Sequence, residues 1–193
     1  NSLKHLNIDF MLRGYFYAGT RIEDKNALGG FGPSDNLPKQ ADASMNLPAG
    51  QISLVAQPDD ETVFYKEFNA RKLIPANTTA EQQAFNASDS RLHIVQEALD
   101  RDGKWKPVEY LPSSWCGNSY HTVFLAPGEF WEFAAAKFHG KQKTKLRFRL
   151  QMDTDKQKAN YIYSNEFEGS INPKQFTVQK PYTPAGIMDP YNN

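Results

Sequence analysis

The stretch KQKTKLRFRL, residues 141–150, decides the fold. Thr144, Leu146, Phe148 and Leu150 alternate with Lys143, Lys145, Arg147 and Arg149, and a period of two puts the two sets on opposite faces of an extended chain. A helix would scatter both sets around its circumference. The segment therefore reads as a half-buried β-strand with one apolar and one basic face. The same alternation opens the chain, where Leu6, Ile8, Phe10 and Leu12 oppose Asn7, Asp9 and Arg13 ahead of a bend or bulge at Gly14.

Working outward, further strands are expected at QISLVAQ (51–57), TVFYKEF (62–68), RLHIVQEAL (91–99), YHTVFLA (120–126), EFWEFAAAKF (129–138) and NYIYSNEFEGSI (160–171). Pro58-Asp59-Asp60, Asp102-Gly103, Pro127-Gly128 and His139-Gly140-Lys141 separate them with turn chemistry. Asp102-Gly103, between RLHIVQEAL and KWKPVEYL, is the clearest hairpin signal. Thr78 followed by Glu81 forms a capping box that predicts one short helix over TTAEQQAF, ending at Asn86 and Ser88. Residues 23–50 read as a long loop or poorly ordered arm, and residues 177–193 as an extended tail. The sum is an all-β chain, an antiparallel β-sandwich, in a single domain spanning 1–193.

The 193 residues fit one hydrophobic core. Apolar residues reach 39%, and 13 Phe, 9 Tyr and 3 Trp add large buried areas. With 22 basic and 22 acidic side chains, no global field attracts nucleic acid. No apolar run approaches the roughly 20 residues of a membrane-spanning helix. The opening NSLKHLN has neither an initiator Met nor a signal-peptide pattern, so Asn1 is expected to be a processed or trimmed end. The single Cys excludes an internal disulfide and a multi-cysteine metal site.

The C-terminal third, PGEFWEF with GKQKTKLRFRL and NYIYSNEFEGSI, resembles the last strands of immunoglobulin-like or fibronectin-III-like sandwiches of bacterial surface and periplasmic proteins. The likeness lies in Pro127-Gly128-Glu129, the strand from Gly140 to Leu150, and Tyr163-Ser164-Asn165-Glu166, about 45 residues in all by strand pattern. With one Cys, the disulfide of antibody domains is absent. The resemblance implies a fold and an extracellular or periplasmic setting, possession of no particular catalytic residue, and no cofactor.

Two binding sites are expected. The basic face of Lys143, Lys145, Arg147 and Arg149 would suit an anionic glycan, a phosphate-bearing polymer or an acidic protein surface; the ordinary expectation for such a strand is a solvated outer face, here with Glu166 and Glu168 as partners across the ladder. Trp105 and Trp115, with Asn118, and with Tyr110 and Tyr120 nearby, would form an aromatic loop site for sugars, Asp100 or Glu109 serving the hydroxyls, whereas Trp131 reads as core. Cys116 and His121 would be a thiol site only if the imidazole reached the sulfur. MDTDKQKAN offers Asp153, Asp155 and Asn160 but fails as an EF-hand, with Gln157 and Lys158 where oxygen ligand and Gly belong. The four histidines lack zinc spacing. The sequence thus points to a non-catalytic, secreted or periplasmic module that binds a protein or carbohydrate. A sandwich-scaffold hydrolase, thiol or paired-carboxylate, and an assembly subunit docking through its arms are the alternatives.

Overall fold

A computed structural model describes residues 2–112, 114, 116–152 and 160–177. The described strands are β1 (Leu12–Arg13), β2 (Lys39–Gln40), β3 (Ile52–Phe64), β4 (Phe68–Asn77), β5 (Gln83–Ser88), β6 (Arg91–Leu92) and β7 (Ile94–Leu99). They continue with β8 (Trp105–Pro107), β9 (Glu109–Tyr110), β10 (Tyr120–Leu125), β11 (Glu129–Phe130), β12 (Phe133–Ala136), β13 (Gln142–Gln151), β14 (Tyr161–Tyr163) and β15 (Phe167–Ile171). One antiparallel sheet joins β2, β11, β4 and β12, with β3 also on β4; a second joins β14, β13, β7 and β8, with β15 also on β13. A smaller sheet, β10-β5-β6, and the parallel pair β1-β9 complete the set. The architecture is all-β and sandwich-like.

β13 behaves as its alternation requires. Leu146, Phe148 and Leu150 are buried while the basic residues between them face outward. Phe16 fills the space between the two larger sheets, meeting Phe133 of β12 edge-on at 5.4 Å and Phe148 of β13 at 6.0 Å. Trp131 is core as expected, its indole N–H donating to the Gly19 carbonyl at 2.8 Å, which satisfies the buried donor. Asp102-Gly103 makes the expected hairpin, with β7 and β8 antiparallel across it.

Other expectations fail for identifiable reasons. The TTAEQQAF segment carries no helix: Gln83–Ser88 is β5, paired with β10 so that Phe85 opposes Val123. Eight residues make a marginal helix, whereas Phe85 and Ala87 gain burial on one face of a strand. Pro58-Asp59-Asp60 does not reverse the chain; it is an irregularity inside β3, where the register against β4 shifts between Gln57 and Glu61. The reversal falls instead at Tyr65 and Lys66, both at positive φ, which divides TVFYKEF between β3 and β4. At the chain start only β1 is a strand. Phe10 is 39% exposed, and Asn172 anchors the segment by donating to Asn7 Oδ1 and the Ile8 carbonyl in place of a ladder.

Residues 23–50 are a long loop, yet they dock on their own chain. Asp24 Oδ2 accepts from the Thr122 N–H at 2.7 Å and, just ahead of the loop, Thr20 Oγ1 accepts from the Phe124 N–H at 3.2 Å, capping donors along the edge of β10. Phe31 stacks on His121 at 3.7 Å, and β2 within the loop pairs with β11. The tail from residue 178 lies outside the described residues.

A polar cluster is sealed in the core. Tyr15 Oη donates to Glu109 Oε1 at 2.9 Å and accepts from the Ala136 N–H; Gln96 Nε2 also donates to Glu109 Oε1 at 2.9 Å. Burial pushes the Glu109 carboxyl up to about 8 and the Tyr15 phenol well above its usual value. Arg71 lies between the sheets, 4.4 Å from the centre of the Phe167 ring, and burial lowers its guanidinium to about 10. Glu109 is thus neutral in the fold at pH 7 and ionised when unfolded. Its contribution to stability is full below about pH 4.5 and disappears as pH rises through about 8, because the folded state holds the proton more tightly. The unfolding midpoint of Glu109→Gln should rise relative to wild type from pH 5 to pH 8, a difference that isolates Glu109 from His93 and His121, whose lowered values act in the opposite direction. A difference that stays constant over that range, followed by circular dichroism, would contradict this assignment.

Candidate functional site

Antiparallel register sets Arg147 of β13 opposite Glu97 of β7 on the outer face of the second sheet. Glu97, only 3% exposed, accepts from Arg147 Nε at 2.7 Å through Oε2 and from Arg149 Nη1 at 2.9 Å through Oε1. These charge-assisted bonds fix both guanidinium groups. Arg147 lies between two rings, 4.3 Å from the Trp105 centroid and 4.0 Å from that of Tyr163, and Arg149 stacks 4.8 Å from Tyr161. Lys145 pairs with Glu166 at 3.3 Å, and Lys143 is exposed opposite Ser170. The basic row is therefore not a bare cationic stripe. One carboxylate answers two arginines, and Lys145 lies beside Glu166 and opposite Glu168.

Beyond Arg149 the face opens into a groove at the junction with the β10-β5-β6 sheet. Asn86, Ala87, His93, Tyr120, His121, Gln151 and Tyr161 line a depression of about 740 Å³. A second depression of about 340 Å³ shares His93, Tyr120 and Gln151 with it and adds Arg149, Val95 and Pro107. Both volumes lie in the range of ligand pockets. Tyr120 and Tyr161 are 43% and 37% exposed, so each presents ring surface.

The polar groups of the groove are partly unengaged. Asn86 Nδ2 donates to the Met152 carbonyl at 3.0 Å, while its Oδ1 has no hydrogen-bond partner among the described residues. The His93 imidazole also bonds to no described residue. Burial, aided by nearby Arg91, holds it below the usual histidine value and therefore neutral, with one donor and one acceptor. Exposed tyrosine rings beside unmet donors and acceptors can hold a ligand that has apolar faces and hydroxyl edges.

The structure brings Trp105, Arg147 and Arg149 together, with Tyr110 and Tyr120 in the neighbouring groove. It does not bring Asn118 to Trp105: Asn118 lies in a short 3-10 turn against Gly30. Trp115 falls outside the described residues, as do Asp153 and Asp155 of the MDTDKQKAN segment. Asp100 is occupied within its hairpin, accepting from the Asp102 and Lys104 N–H groups and pairing with Lys106. No cluster of three or more metal-ligating side chains occurs among the described residues.

Glu97, His93 and Tyr161 were missed by sequence reasoning. Glu97 sits in an apolar run, IVQEAL, whose alternation could have placed it beside Arg147 once β7 was paired with β13.

The described geometry engages His121 away from Cys116 and sets the buried acids Glu97 and Glu109 apart. His121 Nε2 accepts the Ser90 N–H at 2.9 Å and the ring is stacked under Phe31, so that lone pair is not available to a thiol. Cys116 instead caps the 3-10 turn, its N–H bonded to Ser114 Oγ. Glu97 and Glu109, the two buried acids of this region, lie on opposite sides of the second sheet, since Glu97 meets outward arginines and Glu109 meets inward Gln96. A glycosidase pair must share one cleft. Comparison with protein-family models, with curated proteins and with solved structures finds no match for this chain.

The Glu97 pairing has a measurable consequence. Glu97→Gln should destabilise the fold by about 3 kcal/mol, the scale of breaking a buried ion pair. Glu97→Gln combined with Arg147→Gln and Arg149→Gln should recover part of that loss in urea denaturation. A single variant as stable as wild type would contradict the arrangement.

Proposed function

We propose that this chain is a non-catalytic carbohydrate-binding module that works outside the cytoplasm and holds its ligand in the Tyr120–Tyr161 groove. The observation that carries the reading is the junction groove itself. Two half-exposed tyrosine rings flank a depression into which neutral His93 and the Asn86 carbonyl oxygen bring unmet hydrogen-bonding capacity. A pyranose offers apolar C–H faces to the rings and hydroxyls to the edges, and this chemistry calls for no catalytic group.

The engaged His121 and the separated Glu97 and Glu109 favour binding over hydrolysis. The docking of residues 23–50 on their own chain likewise argues against that segment as an assembly arm. The resemblance of the last strands to modules of bacterial surface proteins is the basis for the extracellular or periplasmic setting.

The test is calorimetric titration with a panel of soluble oligosaccharides, neutral and acidic. At least one should bind, and Tyr161→Ala and Tyr120→Ala should each weaken it about tenfold, equivalent to about 1.4 kcal/mol, with wild-type circular dichroism retained. Undiminished affinity in both variants would refute the groove as the site.

A further inference from the structure

Arg149 gives the groove a direction. Its Nη1 is held by Glu97, but no other hydrogen bond of its guanidinium is made among the described residues, and its side chain keeps 27% of its surface. Glu97 carries one negative charge against the two positive charges of Arg147 and Arg149. The pair therefore leaves one net positive charge at the wall of the smaller depression, which Arg149 shares with Val95, Pro107 and Met11. Apolar walls lower the local dielectric and strengthen any charge interaction made there.

The other titratable groups of that depression do not cancel this charge. The Glu109 carboxyl points inward to Tyr15 and Gln96 and stays protonated below about pH 8. His93 is neutral. Arg149 lies over the Tyr161 ring at 4.8 Å, and the depression it lines shares His93, Tyr120 and Gln151 with the groove, so a sugar in the groove has the guanidinium at its neighbouring wall.

Resting on the groove reading above, we infer that the site selects pyranoses bearing a carboxylate, uronic acids, over their neutral counterparts, with Arg149 receiving the carboxylate. A guanidinium fork matches a planar carboxylate through two parallel hydrogen bonds. A single surplus charge suits one carboxylate per subsite better than densely sulfated polymers, which call for clustered cations.

The deciding experiment varies the ligand rather than the protein. Short oligomers of galacturonate, glucuronate and mannuronate, each beside its carboxyl-reduced neutral form, are titrated into the wild-type chain by calorimetry at 50 mM and 300 mM NaCl. At least one acid should bind about tenfold more tightly than its reduced form at low salt, with the preference narrowing at high salt. Arg149→Lys, which keeps a cation opposite Glu97 but removes the fork, should lose most of the preference while still binding the reduced form. Equal affinity for acid and reduced forms would overturn the inference and leave the groove reading standing. Binding of neither form across the panel would overturn both.

Discussion

Glu97 is the interaction on which the outer face of the second sheet depends. A carboxylate buried to 3% exposure is costly without partners, and here two arginines from the adjacent strand satisfy both of its oxygens. Once the guanidinium groups are fixed, the aromatic side chains arrange around them: Trp105 and Tyr163 cover Arg147, and Tyr161 covers Arg149. Arg149 in turn stands at the wall of the smaller depression that adjoins the groove. The order of that surface thus runs from one acid, through two cations, to the rings a ligand would meet.

The adjacent residue shows the same sheet solving a different problem on its other side. Gln96 points inward and, with Tyr15, holds Glu109 in an apolar core where the carboxyl keeps its proton. Strand alternation sends the neighbours Gln96 and Glu97 to opposite faces, Gln96 inward to Glu109 and Glu97 outward to the two arginines. The alternation that turns Glu97 outward to the arginines thus also keeps the Glu109 carboxyl on the inner side, away from it.

Much of the fold was legible because alternation is a direct record of which face is buried. β13 and the β7–β8 hairpin follow from Leu146, Phe148, Leu150 and from Asp102-Gly103. Local signals misled where tertiary contacts outweighed them. The Thr78–Glu81 capping box lost to the β5–β10 ladder, and Pro58-Asp59-Asp60 became an irregularity because β4 continues to pair on both sides of it. The site was legible only in part. Trp105, Arg147, Arg149 and Tyr120 are visible as residues rich in contact chemistry. Glu97, His93 and Tyr161 are brought to the candidate site by the pairing of β7 with β13 and β14 with β13, which no local spacing encodes.

Sugar contact at the proposed groove is measured most directly by an amide chemical-shift map of the isotopically labelled chain during titration with a binding oligosaccharide. Shifts concentrated at Asn86, His93, Tyr120, Gln151 and Tyr161 are the predicted result. Shifts confined to Asn118 and the 23–50 loop, or to Lys143 and Lys145 at the far end of β13, would contradict it.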